Sequence, residues 1–172
     1  MPYGFRFTVK SSVGSRSRSW RRGVLLSRKS ALKVLIDTSF ILPALGVEVE
    51  KEVMDTIPHF RRFEVYYSEL SILEAMWKIL KVTRPENLSK VMMGIESVHA
   101  SYKHLPIPSD AFIRAVELYK KGHSDYIDNL LYSTAQANNL KFLTIDQSYI
   151  EFLERNSENG HIITPKEITR VI

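Results

Sequence analysis

Four acidic residues stand out by their surroundings. Asp37 directly follows the apolar run KVLI, and Asp146 follows KFLTI in the same way. An acid that closes a short apolar run projects from the carboxyl end of a buried strand. Either one alone could simply cap the helix after it. Two at equivalent strand ends of one sheet would lie close together, and like charges so placed need a cation or a shared proton. Glu74 lies mid-helix in SELSILEAMWKIL, with Leu70, Leu73 and Trp77 as helical neighbours. That spacing puts it in or beside an apolar stripe, where a carboxylate needs a partner, Lys78 being the local candidate. Asp128, in SDYIDNLLYSTAQANNL, borders the face formed by Ile127, Leu130, Leu131 and Ala135. Asp125, one turn earlier, reads either as a first-turn acid favoured by the helix dipole or as a supporting acid. Glu69 also lies in a first turn, and the dipole accounts for it without chemistry. Carboxylates without thiol or imidazole companions suit hard, oxygen-seeking cations such as Mg²⁺ or Mn²⁺. Metals held this way align a water and stabilise phosphodiester displacement.

The elements that must position these acids alternate along the chain. Strands are expected at 32–36, 63–67, 104–107, 141–144 and 161–163. Helical structure is expected over 38–45 and 48–60, interrupted near Pro43 and Gly46. Ser68 should cap a helix to about Lys81, and a further helix should span 86–102. Ser109 or Asp110 should cap a helix ended by Gly122, and Ser124 the next one, to Asn138. A helix over 147–155 follows, and Thr164-Pro165-Lys166-Glu167 is a capping box with proline at the first helical position. Strands alternating with single or paired helices give an α/β protein, a three-layer α/β/α sandwich with a central parallel sheet. In such a sheet the site lies beyond the carboxyl ends of the strands, where Asp37 and Asp146 fall. Trp77, Met92 and Met93 read as core more readily than as a dimer face.

Composition narrows the classes further. With 44% hydrophobic and 25% charged residues in 172, the chain can bury a core as one domain. It has no cysteine, which excludes a disulfide scaffold, a thiol nucleophile and a thiolate zinc site, and fits a reducing, cytoplasmic setting. No apolar run is long enough for a membrane span. The net charge of +5 divides unevenly: nine cations and no acid precede Asp37, which leaves 15 Lys and Arg against 19 Asp and Glu, about −4, for the rest. Residues 1–31 therefore read as a basic, disordered extension, and residues 32–172 as the folded domain. The extension's cations could contact phosphates, and Phe5, Phe7 and Trp20 could stack on unpaired bases. The apolar stretch 23–26 is too short for a secretory signal. His99, His104 and His123 read as surface or loop residues without a role.

Taken in order, LIDTSFI with Asp37, SELSILEA with Glu74, DNLLYSTA with Asp128, FLTIDQSY with Asp146 and the ending HIITPKEI resemble the PIN-domain family of metal-dependent nucleases. The likeness covers about 33–168. It implies that Asp37, Glu74, Asp128 and Asp146 form an acidic quartet that binds one or two divalent ions. Thr38 or Ser39 and Thr144 would be supporting hydroxyls that orient carboxylates or a water; Asp125 is a further supporting acid beside the third motif, where the helix register favours Asp128 over it as the principal ligand. The implied activity is hydrolysis of RNA, less often DNA, leaving a 5′-phosphate and a 3′-hydroxyl. A PIN domain this short is most similar to VapC toxins of type II toxin–antitoxin modules, and stand-alone RNA-processing PIN proteins look much the same. The toxin resemblance implies a homodimer and an antitoxin that threads a segment across the active site. A catalytically silent PIN domain, binding RNA or protein, is the alternative from another class. A response-regulator receiver would need an acidic pair after the first strand and an acid after Tyr67, where Ser68 stands. A haloacid-dehalogenase phosphatase would need an acid at Ser39.

Overall fold

The computed structural model describes residues 31–81 and 85–170. The expected basic extension, with Phe5, Phe7 and Trp20, lies outside the described residues apart from Ala31. Five parallel strands, β1 (Lys33–Ile36), β2 (Glu64–Tyr67), β3 (Lys103–His104), β4 (Lys141–Leu143) and β5 (Ile162–Ile163), form one sheet in the order β3-β2-β1-β4-β5. The first strand is central in the sheet and buried on both faces. Val34 and Ile36 enter one core with Val65, Tyr67 and Leu143, while Leu35 enters the other with Phe142. Helices α2 (Glu69–Ile79), α3 (Leu88–Ser101) and α7 (Pro165–Arg170) pack on the first core. Helices α4 (Ser109–Lys120), α5 (Tyr126–Ala137) and α6 (Gln147–Arg155) pack on the second. The expected three-layer α/β/α sandwich is the fold observed.

Several element limits differ from the sequence expectation for local reasons. The third strand is shorter than expected, Lys103–His104, and its last pairing bond runs from the Leu105 amide to the Tyr67 carbonyl. Residues 38–45 form two 3-10 turns, Thr38–Phe40 and Leu42–Leu45, closed by Gly46 at a φ of 82°. The expected helix 48–60 is α1 (Lys51–Thr56), which tightens to a 3-10 turn, Ile57–Arg62, where Pro58 removes an amide donor. Ser109 does not cap α4: it is the first helical residue, behind Pro108. Ser124 does not cap α5; Asp125 does, accepting from the amides of Ile127 at 2.9 Å and Asp128 at 3.3 Å. The capping box at Thr164 forms as expected, with Glu167 accepting from the Thr164 amide at 2.8 Å.

One close approach ties the site-bearing loop to the rest. A Cβ at Gly94 of α3 would lie 2.2 Å from the Ala44 carbonyl oxygen, a backbone atom with little room to retreat. Gly94→Ala is expected to destabilise the protein by about 2 kcal/mol through overpacking, measured as a shift of the urea midpoint at constant slope. An unchanged midpoint would show that the Leu42–Leu45 turn yields freely.

Candidate active site

The four acids arrive from four elements at the carboxyl ends of β1 and β4. Asp37 follows β1, and its amide continues the sheet by bonding the Leu143 carbonyl at 3.0 Å. Its side chain is 8% exposed and accepts from the Thr38 amide at 2.6 Å, the Ser39 hydroxyl at 3.0 Å and the Thr144 hydroxyl at 3.1 Å. Burial pushes its carboxyl up to about 6, the charge of Glu74 adds to this, and the three hydrogen bonds limit the rise. Thr144 couples the two strand ends, since its hydroxyl donates to Asp37 and accepts from the Asp146 amide at 3.1 Å.

Glu74 comes from α2 but not as the sequence suggested. The helix buries Ser71, Ile72, Ala75 and Ile79, while Leu73 and Trp77 face out, Trp77 with 66% of its surface exposed. Met92 and Met93 of α3 are exposed too, so Trp77, Met92 and Met93 are not core as the sequence suggested. Glu74 stands at the edge of the buried face. One of its oxygens accepts from the Thr38 hydroxyl at 2.6 Å, and the other meets the Lys78 ammonium at 2.7 Å. Thr38 thus orients Glu74 while Ser39 orients Asp37, so both neighbouring hydroxyls are engaged. The Lys78 ammonium loses hydration by partial burial, yet its pKa is held above the usual value by the hydrogen bond and charge of Glu74 and by Asp37 and Asp128.

Asp128 lies in the first turn of α5, half-buried. Burial, then the charges of Asp37, Asp125, Glu74 and Asp146, push its carboxyl up to about 8. One residue therefore senses the other three acids of the quartet and Asp125. Asp146 caps α6, accepting from the Ser148 hydroxyl at 2.6 Å and the Tyr149 amide at 3.0 Å. Partial burial acts to raise its carboxyl, but those bonds and the charge of His123 hold it below the usual range. Asp125 is exposed and occupied in capping, so its link to the cluster is electrostatic.

The donor chemistry fits a hard divalent cation: the cluster offers carboxylate oxygens, two of them on acids whose ionised form is short of compensating positive charge. Among the described residues no three such side chains form a ready-made ligand group. A concavity of about 670 Å³ near Lys33, Lys141 and His161 lies at the amino ends of β1 and β4. Its size does not outweigh the chemistry at the other end of the sheet, where strand-end sites form. His123, read from the sequence as a surface or loop residue without a role, lies in a loop and packs its ring on Tyr149 with centroids 4.4 Å apart, its Nδ1 3.1 Å from the Asn129 side-chain oxygen.

Known structures share this architecture. A toxin–antitoxin complex from Klebsiella pneumoniae contains a chain 16% identical, with a TM-score of 0.56, covering 77% of this chain and 97% of that one. FitAcB from Neisseria gonorrhoeae matches at 14% identity and a TM-score of 0.56, over 77% and 98% of the two chains. VapBC2 from Rickettsia felis, bound to a promoter DNA fragment, matches at 14% and 0.53, over 77% and 97%. At these identities the likeness concerns the fold. No curated protein matches the chain in sequence. The PIN-domain profile matches residues 34–153, a span that holds all four acids and the sheet ends that carry them. The chain belongs to the PIN-domain family.

Proposed function

We propose that this protein is a Mg²⁺- or Mn²⁺-dependent ribonuclease that hydrolyses RNA phosphodiester bonds with Asp37, Glu74, Asp128 and Asp146. It would act as a VapC-type toxin or as a stand-alone RNA-processing nuclease. The observation that carries the reading is the cluster of like charges centred on Asp128, whose carboxyl is pushed up to about 8 by burial and by four neighbouring acids. An ionised carboxylate so buried and so surrounded is costly to keep unless a cation relieves it. A bound divalent ion would activate a water and offset charge on the leaving oxygen. The chain's own part is to hold the oxygens in place: Thr38 fixes Glu74, Ser39 and Thr144 fix Asp37, and Ser148 fixes Asp146. Thr144 also keeps Asp37 and the Asp146 backbone in register.

Similar structures include a toxin–antitoxin complex, which supports an antitoxin as partner; a homodimer would be the assembly. Among the described residues no helix is long and apolar enough to cross a membrane. With the cysteine-free chain this supports a cytoplasmic setting.

Cleavage of total RNA by the full chain, with Mg²⁺, Mn²⁺ or EDTA, tests the reading. Turnover is expected with either metal and none with EDTA. Mn²⁺ should also raise the melting temperature, by an amount that grows between pH 6 and 8 as Asp128 gives up its proton. Folded protein that takes up no metal and cleaves no RNA would overturn the reading and leave a silent binding module.

A further inference from the structure

We propose that His123 makes the site select ribose over deoxyribose, its Nε2 accepting a hydrogen bond from a 2′-hydroxyl of the bound strand. The inference rests on the ribonuclease reading. It begins with the turn that follows α4, where Gly122 adopts a φ of 115° and delivers His123 to the start of α5. Two hydrogen bonds then fix the histidine. The side-chain amide of Asn129, fully buried, donates from Nδ2 to the His123 carbonyl at 2.9 Å. A carbonyl only accepts, so the orientation of this amide is determined, and its Oδ1 faces the imidazole Nδ1 at 3.1 Å. An amide oxygen also only accepts, so Nδ1 must carry the proton. In the neutral ring Nε2 is then a bare acceptor.

The ring cannot readily swing away from this arrangement. It packs against Tyr149 at 4.4 Å and Phe152 at 5.1 Å between centroids, both on α6, the helix that Asp146 caps. Tyr149, against which the ring packs, donates its amide to the Asp146 carboxylate at 3.0 Å, which puts the imidazole on the carboxylate side of the sheet. The two ring nitrogens diverge. With Nδ1 turned toward buried Asn129, Nε2 is the nitrogen left for a ligand, on a residue that is partly exposed.

A fixed acceptor beside a carboxylate cluster narrows what it can recognise. Non-bridging phosphate oxygens and ring oxygens are acceptors and have no proton to give. The sugar–phosphate backbone has one donor within its repeating unit, the ribose 2′-hydroxyl, and this distinguishes RNA from DNA. Deoxyribose would leave Nε2 without a partner in a half-buried setting, and sites that lose a designed partner discriminate against the analogue.

The test measures equilibrium binding of short labelled RNA and DNA strands of one sequence to the full chain, with Ca²⁺ replacing Mg²⁺ to slow cleavage. Wild type should bind RNA about five- to tenfold more tightly, the worth of one hydrogen bond. His123→Ala should bring RNA affinity down to that for DNA. His123→Asn is the sharper variant, because its amide N–H can replace Nδ1–H toward Asn129 while nothing replaces Nε2. It too should lose the preference, whereas a merely structural histidine would leave His123→Asn like wild type. Preference retained in His123→Asn, or absent in wild type, would overturn the assignment and leave the nuclease reading standing if RNA is still cleaved. A folded wild type that cleaves no RNA with Mg²⁺ or Mn²⁺ would sink both.

Discussion

Asp37→Asn is expected to lower metal-dependent RNA cleavage by about 10³-fold or more while leaving the fold intact, a loss typical of removing a group that stabilises charge in the transition state. The size of the side chain is unchanged. The oxygen that accepts from the Thr38 amide can remain an oxygen, and the amide NH₂ would then face the Ser39 and Thr144 hydroxyls. Both hydroxyls can rotate to accept instead of donate, so local hydrogen bonding survives the exchange. What disappears is one negative charge at the point where β1 and β4 bring the cluster together. Asp125→Asn is the informative contrast. Its carboxylate is exposed and caps α5, a task asparagine performs about equally well, so its activity should stay within about tenfold of wild type. Rates measured at saturating Mn²⁺ on proteins with matched circular dichroism would separate the two. Wild-type turnover in Asp37→Asn would remove this residue from the machinery proposed here.

Much of the fold could be read from local patterns, because parallel strands buried on both faces leave short apolar runs. The run KVLI and its acid are such a case: β1 ends at Ile36 and Asp37 begins the site. The capping box at Thr164 is equally local, being settled within four residues. Where two local signals competed, the structure chose by geometry. Ser124 and Asp125 are both good caps, and only Asp125 places its oxygen on the free amides of Ile127 and Asp128. The orientation of α2 was harder, since Leu73 and Trp77 make an apolar stripe of their own opposite the one formed by Ile72, Ala75 and Ile79. The sequence has two stripes on that helix, and burial selects one by contacts made with distant residues. His123 was illegible for a similar reason. Its meaning lies in Asn129, Tyr149 and Phe152, and no helical or strand period links those positions to it.

Asp128→Asn is expected to stabilise the metal-free protein at pH 8, by about 3 kcal/mol, or roughly 6–12 °C in melting temperature for a chain of this size. The sign follows from the direction of the shift. The carboxyl is raised from an ordinary value of 3.8 to about 8, so the folded state holds its proton more tightly than the unfolded state does. Stability therefore falls as pH rises from about 4 to about 8 and levels off above that. Asparagine imitates the protonated acid and carries no charge to repel Asp37, Asp125, Glu74 and Asp146. The difference between variant and wild type should vanish near pH 4, where both side chains are neutral. Saturating Mn²⁺ should reverse the order, because wild type gains stability from the bound ion and the variant has lost a ligand. Thermal unfolding at pH 4, 6 and 8, with and without Mn²⁺, measures all of these. A variant no more stable than wild type at pH 8 would mean that water already solvates the Asp128 charge, and the repulsion from which a cation was inferred would not exist.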